Sequence, residues 1–161
     1  MKKVLVIDFG GQYSQLIARR VRECRVYSEL VAYDTPAEAI AKEKPAGIIL
    51  SGGPRSVNDA NAPAIDPAVL ALGVPALGIC YGLQLIAKIR NGRVEHTGAA
   101  EYGGRTVSLR GESMLLSGLP KDRPCWMSHG ASVVEVPAGF SITAESPNFP
   151  VAAMEDCAAG L

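Results

Sequence analysis

Gly78-Ile79-Cys80-Tyr81-Gly82 sets one thiol between two glycines, where a short apolar run gives way to a helical pattern. A nucleophile on a sharp strand-to-helix turn sits in a strained backbone conformation, and flanking glycines remove side chains that would collide there. The start of a helix offers free N–H groups and the positive end of the dipole, which favour thiolate, so a lowered thiol pKa is expected. The amide of Tyr81 would point at the place where an oxyanion forms. The bland reading of the same residues is a buried cysteine held between packing glycines. Ser51-Gly52-Gly53-Pro54 bears on the choice: it is a second glycine turn, again at the end of an apolar strand. Open α/β sheets build their sites at the carboxyl ends of strands, and a glycine loop there brings a backbone amide close to a substrate. Two glycine-walled turns, one carrying a thiol, point to acyl transfer through a thioester.

The elements that must hold these turns are legible in the first half of the chain. Val4 to Asp8 reads as a continuous apolar strand and Phe9-Gly10-Gly11 as a tight turn. Gln12 to Glu23 then carries Leu16, Ile17 and Val21 at helical spacing, with Cys24 just beyond. Val26 to Tyr33 is a second strand. Thr35-Pro36-Ala37-Glu38 has the form of a capping box with proline at the first helical position. Ala46 to Leu50 is a third strand, Asp66-Pro67 opens a short helix to Leu72, Val74 to Ile79 is a fourth strand, and Tyr81 to Arg90 a helix closed by Asn91-Gly92. This alternation predicts an α/β fold, a mostly parallel open sheet with helices on both faces. After Gly92 the rhythm changes. Arg105 to Arg110, Ser132 to Val136 and Ser141 to Glu145 alternate apolar and polar residues between Gly and Pro breaks, and read as antiparallel hairpin strands that extend or flank the sheet. No linker, repeat or low-complexity tract interrupts the chain, so residues 1–161 are expected to form one domain.

Composition narrows the function classes. The 161 residues carry 16 Lys and Arg against 16 Asp and Glu, a formal net charge of zero, which removes the electrostatic case for nucleic acid as the main partner. No apolar run approaches the ~18 residues of a membrane span, so no membrane partner is expected. Four widely spaced cysteines, Cys24, Cys80, Cys125 and Cys157, form no Cys-x-x-Cys, and the two histidines give a metal site little to build from. A reducing, cytoplasmic setting fits this usage better than a disulfide framework, and Cys24, Cys125 and Cys157 read as core or incidental thiols. Arg19, Arg20, Arg22 and Arg25 make a basic strip on the first helix, which reads as a solvated face.

Five blocks, in order, resemble the glutamine amidotransferase domain of GMP synthetases. They are residues 8–23 beginning Asp8-Phe9-Gly10-Gly11-Gln12-Tyr13-Ser14-Gln15, then Ile49 to Pro54, Gly73 to Gln84, Glu101-Tyr102-Gly103, and Trp126-Met127-Ser128-His129-Gly130. Gly-Ile-Cys-x-Gly is shared by class I amidotransferases in general; the first and last blocks carry the narrower likeness. The resemblance implies that Cys80 attacks the side-chain amide of L-glutamine and that Gly53 and Tyr81 supply the oxyanion-hole amides. It implies that Gln84 helps hold the substrate, and that main-chain groups around Ser128 and Gly130 bind its α-amino and carboxylate ends. It further implies a partner, an ATP-pyrophosphatase domain in cis or trans, and a homodimer through the full-length enzyme. ATP and magnesium are expected only in that other domain, because Pro54 and Arg55 do not fit its Ser-Gly-Gly-x-Asp-Ser phosphate loop.

Two departures from the family stand out. Ala131 follows Ser128-His129-Gly130 where the family has aspartate, and the chain reaches Leu161 without the family's His-Pro-Glu motif, which holds its general base and orienting glutamate. A domain truncated at its C-terminus, of weak or no activity alone, is therefore expected. The competing readings are a non-catalytic module of the same fold that binds glutamine or the synthetase, and another class I amidotransferase.

Overall fold

The structure is a computed structural model, and it describes residues 2–98 and 100–161. It divides into two compact units: residues up to Ile86 together with Ala159–Leu161, and Ala87–Ala158.

In the first unit, β1 (Lys3–Asp8), β2 (Tyr27–Ala32), β3 (Gly47–Leu50) and β4 (Ala76–Gly78) form a parallel sheet in the order β2-β1-β3-β4. β1 lies inside it, and Leu5, Val6 and Ile7 are fully buried, as the unbroken apolar run requires. α1 (Ser14–Glu23) packs on β1 and β2 with Ser14 and Ala18 inward. The register pairs Ile7 with Leu50 and Leu50 with Gly78, so three strands end level with one another. β2 lies on one side of β1 and β3 on the other, so the strand order reverses at β1, and ligands of open sheets bind at such a switch point, outside the carboxyl ends.

α2 (Ala37–Lys42) starts differently from the expected capping box. Pro36 is its N-cap, and no side chain of the helix caps it. Thr35 instead donates its hydroxyl to the Ala32 carbonyl at 2.7 Å. The cap comes from outside: Asp66 Oδ2 accepts the Ala37 N–H at 3.3 Å, while its Oδ1 accepts Ala68 N–H at 2.9 Å. Asp66 thus caps both α2 and the short 3-10 helix Pro67–Ala71.

α3 (Tyr81–Ile89) follows β4 and ends at Asn91, whose φ of 66° is a left-handed stop. In the second unit β5 (Arg93–Glu95) pairs with β8 (Ser132–Glu135), and β10 (Ala153–Glu155), β9 (Ser141–Glu145), β6 (Glu101–Leu109) and β7 (Asp122–His129) form an antiparallel sheet in that order. The hairpin strands therefore build sheets of their own and pair with no strand of the parallel sheet among the described residues. β7 escaped the sequence reading because Asp122-Arg123-Pro124 opens it. Proline removes a ladder donor, but β7 is an edge strand, where that is tolerated. The core here is Val107, Val133, Ala144, Phe149, Val151 and Met154. Among them Glu101 is fully buried, with the Ser146 hydroxyl 3.0 and 2.9 Å from its two oxygens.

No described helix is long and apolar enough to cross a membrane.

Candidate active site

Cys80 adopts φ +54°, in the left-handed region that a residue with a side chain rarely enters. The glycines around it are required by contact. A β-carbon on Gly78 would stand 2.6 Å from the Gly82 carbonyl group, and one on Gly82 would stand 2.3 Å from the Leu50 oxygen. The turn is tied to β3 by two hydrogen bonds, Ile79 N–H to the Leu50 carbonyl at 2.9 Å and Gly82 N–H to the Ser51 carbonyl at 3.2 Å. This is the strand–turn–helix elbow expected of Gly-x-Cys-x-Gly, with Cys80 exposed at its tip.

The second glycine turn meets the elbow. A β-carbon on Gly52 would lie 3.7 Å from the Cys80 β-carbon. Gly53 faces the other way, onto aromatic side chains: its missing β-carbon would come within 3.1 Å of Phe9 Cβ and 3.4 Å of Tyr81 Cγ. Gly11 closes the third side, where a β-carbon would stand 2.3 Å from the Gly52 oxygen. Three loops from three adjacent strand ends thus meet here, and at Gly11, Gly78 and Gly82 the approach is one only glycine permits.

Ser51 organises the junction, a role the sequence reading did not give it. Its hydroxyl oxygen is buried, accepts Phe9 N–H at 3.3 Å, and lies 3.0 Å from both the Gly52 carbonyl and the Ser14 hydroxyl. Ser14 in turn donates to Asp8 Oδ1 at 2.6 Å. A small polar residue directly before a glycine pair, at the end of a buried strand, was the available signal.

The thiol departs from the sequence expectation. The exposed Cys80 residue still has enough protein around its sulfur that desolvation pushes the pKa up, and the Tyr81 N–H, directed at the sulfur, offsets this only in part. The helix start supplies the expected donor, but desolvation outweighs it.

Gln84 is buried on α3, one turn past Cys80, with its N–H on the Cys80 carbonyl at 3.2 Å. Ser128 and Gly130 belong to the other unit. Ser128 is exposed on β7 opposite Tyr102, and the Gly130 carbonyl accepts from His96 Nδ1 at 3.1 Å. His129 donates through Nδ1 to the Ala131 carbonyl at 3.0 Å, its ring packs 5.0 Å from that of Phe149, and Ala131 itself is buried. Both histidines are thus engaged by backbone carbonyls. Cys24 and Cys157 are exposed and Cys125 half-buried, so none of the three is a core residue; they lie at the end of α1, in a turn and on the edge strand β7. No three His, Cys, Asp or Glu side chains gather as a metal site among the described residues.

Comparison with known proteins adds three findings. The family model described as glutamine amidotransferase class-I matches residues 5–158. Proteins named GMP synthase [glutamine-hydrolyzing] from Parafrankia sp. and Thermobifida fusca are 56% and 53% identical over 153 and 152 residues, 95% and 94% of this chain. The chain spans only 29% of the length of each. A solved structure from Thermoplasma acidophilum, provisionally assigned as one component of a GMP synthase, superposes with a TM-score of 0.82 at 26% identity, covering 96% of this chain and 78% of that one. A Thermotoga maritima glutamine amidotransferase, at 18% identity, shares the fold with a TM-score of 0.74 over 96% of this chain and 71% of its own. With its cysteine elbow seated against two further glycine loops and a family match over residues 5–158, this chain belongs to the class-I glutamine amidotransferases.

Proposed function

We propose that this chain is the glutamine-hydrolysing part of a GMP synthetase, releasing ammonia for the amination of XMP to GMP. The observation that carries the reading is Cys80 at φ +54° with Gly52 against its β-carbon. The relatives named GMP synthase support the choice of pathway, at 56% and 53% identity. In this reading the Cys80 thiolate adds to the side-chain carbonyl carbon of glutamine, and the negative charge that collects on oxygen meets the Gly53 and Tyr81 amides. The tetrahedral adduct collapses with cleavage of the C–N bond, and the nitrogen leaves as ammonia after taking up a proton. Water, losing a proton to a base, adds to the thioester; glutamate leaves and the thiol is restored. Gln84, buried one turn past Cys80, holds the substrate in place.

The acid and base of these steps are assigned to a histidine oriented by a carboxylate. His129 suits the role poorly, since its Nδ1 faces the Ala131 carbonyl at 3.0 Å and its Nε2 the buried Glu101 carboxylate at 4.0 Å. The partner is an ATP-pyrophosphatase portion, in cis or trans, and ATP and magnesium act there and not at Cys80. The setting is cytoplasmic. The second reading, a glutamine-binding module without turnover, is favoured by the one observation that desolvation pushes the Cys80 thiol up.

Ammonia release decides between them. The 161-residue chain should hydrolyse glutamine about 10²–10⁴-fold more slowly than a form extended to include the histidine and carboxylate, the usual contribution of general acid–base catalysis. Equal, substantial rates would place the base within this chain, and no release by either form would leave the binding module.

A further inference from the structure

The Tyr81 side chain does something that its backbone amide does not require. It is 1% exposed, its ring lies 5.1 Å from that of Phe9, and its hydroxyl donates to the Pro63 carbonyl at 2.5 Å. Pro63 belongs to residues 55–66, which contain no helix or strand and connect the Gly53 turn to the 3-10 helix. Phe9 is also buried and stacks on Tyr33 at 6.2 Å. Gly53 rests on this pair, its missing β-carbon 3.1 Å from Phe9 Cβ and 3.4 Å from Tyr81 Cγ. One residue therefore touches both halves of the junction. Its backbone follows the nucleophile, its ring supports Gly53, and its hydroxyl holds the far end of the loop that Gly53 begins.

We propose that Tyr81, through its ring and its bond to Pro63, and Phe9, through its ring, are positioning residues that fix the Gly53 peptide relative to Cys80. This rests on the reading that Gly53 supplies an oxyanion-hole amide. A peptide between two glycine-rich turns has many accessible conformations, and preorganised donors are effective only because they need no rearrangement when charge develops. Two aromatic rings and one buried hydroxyl bond restrict that freedom. The hydroxyl is suited to the task as a donor: desolvation first, and then Asp59, push its pKa up, so it keeps its proton.

The test separates the oxyanion site from the thiol. A chloroketone analogue of glutamine, with CH2Cl in place of the amide NH2, places a ketone where the amide carbonyl would be. Its oxygen gathers charge as Cys80 adds, and a C–S bond then replaces the C–Cl bond, with chloride leaving and the thiol proton passing to solvent. Iodoacetamide alkylates the same sulfur by direct displacement, with no oxyanion. In the 161-residue chain, Tyr81→Phe keeps the ring and should lower the chloroketone rate at Cys80 about 10-fold while leaving the iodoacetamide rate unchanged. Phe9→Leu should lower it further, towards the 10²–10³-fold cost of losing one donor. Tyr81→Phe and Phe9→Leu both reacting like the parent, or losing both reagents equally, would overturn the proposal. A parent chain that takes iodoacetamide but not the chloroketone would instead remove the glutamine reading itself.

Discussion

Gly82 packs so closely on Leu50 that a β-carbon at position 82 would stand 2.3 Å from the Leu50 carbonyl oxygen. The same glycine donates its N–H to the Ser51 carbonyl at 3.2 Å, so the first turn of α3 is pressed onto the end of β3. Contact with backbone cannot be relieved by a rotamer change; the helix itself has to move. Gly82→Ala is expected to destabilise the fold by about 1–3 kcal/mol, the range for overpacking, and to displace Cys80 from Gly52. Chemical denaturation of Gly82→Ala, together with chloroketone labelling of Cys80, measures both effects. Unchanged stability and labelling would contradict the tight packing.

The direction of the Cys80 shift fixes a pH dependence. Desolvation favours the neutral thiol, so alkylation by iodoacetamide should rise with pH through a midpoint above the 9.0 of an ordinary thiol. For stability the sign follows from proton counting. Above the unfolded thiol's pKa and below the folded one, the folded chain holds more protons than the unfolded chain, so this group's contribution falls as pH rises. It is fully present below the unfolded value. A labelling profile centred below that of free cysteine would show that the Tyr81 amide outweighs desolvation.

Asp66 joins two helices that are not sequence neighbours, with one oxygen on Ala37 N–H and the other on Ala68 N–H. Asp66→Ala removes a cap from each at once. The expected loss is about 0.5–2 kcal/mol by urea denaturation, the range for a helix cap. Asp66→Asn should recover most of it, since the amide keeps one acceptor oxygen. Thr35→Ala should cost less, because its hydroxyl serves the Ala32 carbonyl and not the helix.

In the second unit, Ser146→Ala would strip the fully buried Glu101 carboxylate of its hydroxyl donor, with His129 Nε2 4.0 Å away. An unsatisfied buried group of this kind costs roughly 1–3 kcal/mol. Thermal unfolding of Ser146→Ala and of the double variant Glu101→Gln with Ser146→Ala measures it. The double variant should be the more stable of the two, because it no longer buries a charge there.

Those parts of this protein that depend on neighbours along the chain are legible in its residues alone. The run Val4 to Ile7 has no polar interruption, so it had to be an inner strand; glycine at positions 78 and 82 announced the elbow, because the steric demand of a sharp turn is local. The rest depends on contacts between segments far apart in the chain. The order β2-β1-β3-β4 brings Gly11, Gly52 and Cys80 to one end of the sheet, and nothing in any one segment encodes that juxtaposition. Gln84 and Ser51 are buried for the same reason, although each alone reads as a surface or turn residue. The direction of the Cys80 shift was misjudged from sequence because the helix start is a local feature, whereas the walls that desolvate the sulfur come from the fold around it. Strand β7 is hidden by its charged, proline-bearing opening, and is a strand because β6 offers it eight residues of backbone to pair with and the position at the sheet edge tolerates a missing donor.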